Sequence, residues 1–203
     1  MKSWIKRFAY FLFSRQLIRK GKPGAIYLTY DDGPHLENTP EILAALSAHN
    51  AKATFFMIGK NMESHPELVR SVLDQGHTIG YHSYKHDSLK KLSLREIEKD
   101  LSYARVLSKK FDYPIKLYRP PFGDLSFLSF IWLLLRGWKI IMWSRDCRDS
   151  FEGLEKVTEN ITAANISDSD IILLHDDYES AADLINNALS SYMKSNLACK
   201  RLE

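Results

Sequence analysis

The feature that most constrains this chain is an alternation. Short strand-like runs, each leading into polar or charged residues, are separated by longer segments with helical patterning. Ala25–Leu28, Ala53–Ile58, His77–Tyr81, Ile115–Tyr118, Lys139–Trp143 and Ile171–Leu174 are short and bounded by turn residues, so each is expected to be a strand. Leu197–Arg201 reads as a short last strand. The segments between them are expected to be helices. Thr39-Pro40 reads as an N-cap followed by a first-turn proline. Ser64-His65-Pro66-Glu67 and Ser93-Leu94-Arg95-Glu96 have capping-box spacing. Further helices are expected over 126–136, 154–164 and 180–194. Strand–helix alternation of this kind builds parallel strands with helices outside, as an open sheet or a barrel. Either arrangement gathers the working groups at the C-terminal ends of the strands. The 126–136 helix is apolar nearly all round but too short to cross a bilayer. It is expected to be buried on two sides, with an exposed face for a partner, a second copy or a membrane as the alternative.

Charge is distributed unevenly. Residues 1–22 hold seven basic residues and no acidic one, which leaves 21 basic against 25 acidic in the remainder. A slightly acidic body argues against a nucleic-acid binder. We divide the chain into a basic amphipathic segment, 1–23, and a single domain, 24–203, long enough to bury a substantial core. Trp4, Phe8 and Leu12 lie four apart, with lysine and arginine beside them, as in an interfacial helix on an anionic membrane. An ordinary helix packed on the domain fits the same pattern. The uncharged stretch Phe8–Ser14 is too short for a membrane span and carries no small-residue cleavage site. Cys147 and Cys199 have no metal-site spacing and are expected to be reduced thiols. These features together favour a cytoplasmic protein, peripheral at the inner face of the cell membrane.

Chemistry concentrates where the strands end. Asp31 and Asp32 are adjacent and followed at once by Gly33-Pro34. Two neighbouring carboxylates repel, unless a cation neutralises one or chemistry uses the other. His82 and His86 follow the third strand with three residues between them, a spacing that lets two imidazoles meet one cation. Two histidines and one aspartate leave positions open for water and substrate. Zinc fits this donor set best, and cobalt, nickel, iron or manganese would also accept it. Arg119-Pro120-Pro121-Phe122-Gly123 follows the fourth strand, and its arginine can grip a carboxylate. Trp143 to Asp149 follows the fifth strand, and Leu173-Leu174-His175-Asp176 closes the sixth. Either Asp149 or Asp176 reads equally well as a surface carboxylate.

In this order, the segments TYDDGP, HSYKH, RPPFG and LLH resemble the polysaccharide deacetylase family, the NodB-homology domain of carbohydrate esterase family 4, over about residues 24–200. The resemblance implies an α/β fold, a distorted (β/α) barrel with six to seven parallel strands. It implies one divalent metal, zinc foremost, held by Asp32, His82 and His86. It also implies Asp31 as catalytic base, Arg119 as the group orienting it, His175 as catalytic acid and Asp149 as the carboxylate that tunes it. The Phe122 N–H would be an oxyanion donor, Leu173 would receive the acetyl methyl, and Trp143 would form a groove wall. The implied activity is removal of N-acetyl groups from an N-acetylated saccharide substrate. Two alternatives stay open: the same fold acting on a non-sugar C–N bond, and an inactive metal-bound carbohydrate-binding domain. Tyr30 and Tyr81 replace the family's usual phenylalanine and asparagine. The larger departure is Ser150, where a tryptophan commonly lines the groove. Residues 36–38 and the 84–92 loop are expected as further groove walls.

Overall fold

The computed structural model describes residues 16–162, 164–178, 181–195 and 197–203. In chain order the elements are β1 (Leu17–Ile18), β2 (Tyr27–Asp31), α1 (Asn38–Ala48), β3 (Ala53–Met57), α2 (Gly59–Ser64), α3 (Pro66–Asp74), β4 (Thr78–Tyr81) and α4 (Leu94–Phe111). They continue with β5 (Leu117–Tyr118), α5 (Phe127–Leu135), β6 (Lys139–Ile141), β7 (Arg145–Asp146), α6 (Leu154–Asn160), β8 (Ile171–His175) and α7 (Ala181–Lys194). The Trp4–Phe8–Leu12 stripe lies outside the described residues. Among the described residues, no helix is long and apolar enough to cross a membrane.

The strands run β1-β6-β5-β4-β3-β2-β8-β7, and every pairing is parallel. The two ends of this order are joined by one short piece of chain. β6 pairs with β5 and β1, and the same run re-enters the sheet as β7 beside β8. In between, the Met142 N–H donates to the Ile18 carbonyl at 2.8 Å and the Ser144 N–H to the Ile171 carbonyl at 3.0 Å. The sheet therefore curls into the distorted barrel that the family resemblance implies, one of the two arrangements the alternation allows. It has eight strands because the two-residue strands β1 and β7 add to the six expected runs. Leu197–Arg201 contributes only a bridge, Ile26 with Cys199.

Side-chain alternation along the strands separates two layers. Leu28 and Tyr30 of β2 face the helices and join the main core, together with Phe55, Ile172 and Leu174. Tyr27 points to the barrel interior with Phe56, Leu117, Ile141 and Ile171. The same period puts Thr29 and Asp31 inside, above Tyr27. It likewise brings Arg119, two residues after Leu117, and His175, four after Ile171, to the interior at the C-terminal end. The barrel interior is apolar below and charged at its C-terminal mouth.

Three local expectations need correction. Thr39 lies inside α1, whose N-cap is Glu37, and its hydroxyl is engaged by His35 and Asp176 instead. Ser64 ends α2, so α3 starts from His65 without a side-chain cap. A tertiary hydroxyl contact in one case and a preceding helix in the other override the local signal. The Ser93–Glu96 capping box forms as expected. α5 is not buried on two sides. It buries Ser129, Phe130 and Leu133, whereas Leu128 and Leu135, seven residues apart on the opposite face, are 67% and 70% exposed.

Candidate active site

Parallel register assembles the site. Asp31 pairs with His175 across β2 and β8, so the two last residues of neighbouring strands stand side by side. His82 and Arg119 each follow the final residue of a strand, Tyr81 and Tyr118, which are themselves partners across β4 and β5. A cleft of about 420 Å3 opens here, lined by Asp31, Asp32, His82, His86, Asp149 and His175 among others.

Asp31 and Asp32 face different partners. The Arg119 guanidinium is fully buried and donates from one nitrogen to Asp31 Oδ1 at 2.7 Å and to Thr29 Oγ1 at 2.8 Å. Its remaining nitrogens reach the Ile141 and Met142 carbonyls, and the Phe56 ring lies 4.1 Å from its central carbon. Thr29 in turn donates to the Ile172 carbonyl at 2.6 Å. The ion pair is thus locked by strand backbone on several sides, which is the geometry that a buried charge pair requires. Burial raises the Asp31 carboxyl above the ordinary carboxylate range, and the Arg119 charge opposes that rise without cancelling it.

Asp32 instead turns to the imidazoles. Its Oδ1 is 3.5 Å from His82 Nε2 and 3.3 Å from His86 Nε2. The His82 Nδ1–H donates to the Arg119 carbonyl at 2.8 Å, because a carbonyl can only accept. That bond fixes the tautomer and leaves the Nε2 lone pair aimed at Asp32. Burial pushes His82 down to about 3, against the pull of Asp32, so its imidazole is neutral at physiological pH. Asp32 Oδ1 is a buried atom without a hydrogen-bond donor. Asp32, His82 and His86 offer ligand atoms that all lie within 4.8 Å of one another. A carboxylate oxygen without a hydrogen-bond donor and two imidazole nitrogens converging on one point fit a divalent cation.

Across the cleft, Asp149 Oδ1 accepts from His175 Nδ1–H at 2.7 Å, and its Oδ2 accepts from the His175 backbone N–H at 2.6 Å. Burial alone would lower the imidazole, but the Asp149 hydrogen bond and charge, helped by Asp31 and Asp32, lift His175 to about 9. It is therefore protonated at neutral pH, the reverse of His82. Ser150 Oγ sits 3.1 Å from the same Nδ1.

Backbone strain collects around this cleft. Of the eight described non-glycine residues with positive φ, Asp32, His86, Phe122 and Arg148 line it. Conformations of this kind cost on the order of 1–3 kcal/mol each and persist where surrounding structure demands them. Gly123 is needed for space as well, since a Cβ there would come within 2.9 Å of the Trp143 ring. Gly33 has a similar constraint, because a Cβ would lie 2.0 Å from Asp176 Oδ2.

The predicted residues therefore converge: Asp31, Asp32, His82, His86, Arg119, Phe122, Trp143, Asp149, Leu173 and His175 all line the cleft or bond directly to a residue that does. Neither Asp149 nor Asp176 is a surface carboxylate. Asp176 is fully buried, pushed up to about 7 by burial, and accepts from the Thr39 hydroxyl while its backbone N–H donates to the Asp31 carbonyl. It buttresses the turn after Asp31. The expected walls at 36–38 and 84–92 are not there, apart from His86. Asn38 is instead held by the Asp176 and Tyr178 carbonyls, and the cleft walls come from 122–123 and 143–151. Sequence reasoning missed Thr29 as the second anchor of Arg119. It also missed Phe151, 82% exposed on the rim beside Ser150 and accompanied by Phe122 at 68%. An aromatic one position after the unexpected serine was the available signal.

Known proteins resemble this chain in sequence and fold. The family model described as polysaccharide deacetylase matches residues 18–129. A peptidoglycan-N-acetylglucosamine deacetylase of Bacillus cereus is 35% identical over 176 residues, which is 85% of this chain and 62% of that protein. The chain thus spans about three fifths of that relative's length. A chitooligosaccharide deacetylase of Sinorhizobium fredii is 32% identical, covering 75% of this chain and 72% of that protein. The crystal structure of the Bc1960 peptidoglycan N-acetylglucosamine deacetylase superposes with a TM-score of 0.87 at 28% identity, over 100% of this chain and 94% of that one. The match to the family model over more than half the chain, together with these relatives, places the chain in the polysaccharide deacetylase family.

Proposed function

We propose that this protein is a metal-dependent N-deacetylase of amino sugars, acting on an oligo- or polysaccharide or on a glycan precursor and releasing acetate. The observation that carries this reading is the division between adjacent acids. Asp31 is bound to Arg119, and Asp32 faces two imidazoles. Asp32, His82 and His86 would hold one divalent metal, with zinc the proposed ion. When bound, it supplies Lewis-acid chemistry, acidifying a water and polarising the acetyl carbonyl.

The chain's own residues carry the proton traffic. Asp31, held in one orientation by Arg119, takes a proton from the attacking water. Its raised pKa makes it a stronger base than an ordinary carboxylate. Water oxygen bonds to the carbonyl carbon, and the backbone N–H of Phe122 donates to the oxyanion that develops. His175, charged because of Asp149, gives its proton to the amide nitrogen. The C–N bond then breaks, leaving acetate and a free amine. Leu173, apolar and almost fully buried against the cleft floor, receives the acetyl methyl. The exposed rings of Phe122 and Phe151 suit the apolar faces of a sugar chain.

The deciding measurement is acetate release from N-acetylglucosamine oligomers graded from monomer to polymer, with and without added zinc. We expect release that depends on the metal and rises with chain length. Absence of acetate from every saccharide in that series would refute the reading.

A further inference from the structure

A second cavity, of about 580 Å3, larger than the catalytic cleft, lies at the other end of the barrel. Its wall includes Tyr27, the first residue of β2, whereas the cleft takes Asp31, the last. A strand of that length separates them by roughly 13 Å along the barrel. The cavity is lined by Lys20, Lys22, Lys52, Lys200 and Arg201, with Glu203 as its one acidic side chain.

These cations are only partly neutralised. Lys22 pairs with Glu203 at 3.7 Å and Lys20 with Asp170 at 3.6 Å. Lys52 donates to the Gln75 carbonyl at 2.7 Å, and Arg201 to the Gly76 carbonyl at 2.8 Å. Carbonyls hold these side chains in position but leave their charge intact. Among the described residues, no carboxylate forms an ion pair with Lys52, Lys200 or Arg201. Buried His77 is pushed down to about 4 by burial and then by the charges of Lys52 and Arg201. The barrel base therefore carries a concentrated positive field on a body whose remainder is slightly acidic. In sequence, residues 1–15 hold Lys2, Lys6, Arg7 and Arg15 and no acidic residue.

We propose that this basic cavity is a docking site for phosphate-bearing headgroups of an anionic membrane, and that the barrel rests on the membrane by its base. Charge complementarity to a phosphate layer is supplied by the cavity. The geometry then holds the catalytic cleft on the far side of the barrel, open to a glycan approaching from solution. This proposal is independent of the deacetylase reading, because vesicle binding requires no turnover.

The test is co-sedimentation of the full chain with phosphatidylglycerol-containing vesicles and with pure phosphatidylcholine vesicles. Binding is expected only to the former, weakening with salt. The variant Lys52→Gln/Lys200→Gln/Arg201→Gln should lose roughly a hundredfold in vesicle affinity, at about fivefold per charge. Lys200→Glu, at an exposed position that leaves the core untouched, should lose more than tenfold and serves if the triple variant fails to fold. Titration with inorganic pyrophosphate separates the sources of phosphate. Tight pyrophosphate binding, abolished in the triple variant, with no vesicle binding would overturn the membrane assignment. So would equal binding to both kinds of vesicle, or undiminished binding by folded Lys200→Glu.

Discussion

The two ends of the barrel treat charge in opposite ways. At the C-terminal end, Arg119, Asp31, His82 and Asp149 are buried, and each is matched to a specific partner at hydrogen-bond distance. At the base, Lys20, Lys22, Lys200 and Arg201 are exposed and their charges are only partly paired. Burial makes a charge specific: each group is held by fixed partners, because leaving it unpaired costs several kcal/mol. Exposure makes a charge general, able to attract any anion but worth little singly. The top can therefore do chemistry on one bond, and the base can only provide adhesion.

The sharpest way to break this contrast is Asp31→Asn. It keeps the shape and the neighbouring cation site but removes the base. We expect acetate release to fall on the order of a thousandfold with zinc binding retained. A loss of zinc in the same variant would show that the two acids do not divide their roles. Arg119→Met comes next. It strands Asp31 as an unpaired buried charge, so unfolding stability should drop by about 3–5 kcal/mol, read by urea denaturation.

Asp149→Asn tests the tuning of His175. The acid works only while protonated, so activity should decline as pH rises through about 9. Removing the carboxylate lets burial dominate, and the alkaline limb of kcat/KM should move below its wild-type position. The same group bears on stability. A histidine raised in the folded state contributes stability that is complete below its unfolded value, near 6.5, and is lost as pH climbs through about 9. An unmoved alkaline limb in Asp149→Asn would remove His175 from the role of acid. The smallest effect belongs to Phe151→Ala. Removing an exposed rim ring should raise KM for long oligomers by roughly three- to tenfold with kcat nearly unchanged. An equal change for the monomer would argue against a groove wall.

Much of the site was legible because parallel alternation carries every strand's C-terminal residue to one end. Asp31-Asp32, His82 with His86, Arg119 and His175 each follow a recognisable apolar run, so their convergence follows from topology alone. What stayed hidden depends on which side chain meets which across long separations in sequence. Thr29 looks like an ordinary strand threonine, and only the curl of the sheet brings it to Arg119, ninety positions later. Thr39 has the look of a cap, yet Asp176 claims its hydroxyl from the far end of the chain. The groove walls were misplaced for a related reason. Loop path, rather than loop composition, decides what borders a cleft, and so 143–151 lines it where 84–92 does not, His86 apart.

By itself, the sequence determined the alternating architecture, the family and the list of ionisable groups, since these depend on local pattern and on the fixed direction of parallel strands. The tertiary structure decided which carboxylate meets Arg119 and which faces the two imidazoles. It also decided that His82 is neutral while His175 is charged, and that the loose cations gather at the base. Those outcomes rest on burial and on distances of a few ångströms between residues far apart in sequence, and electrostatic energy is set by that spacing.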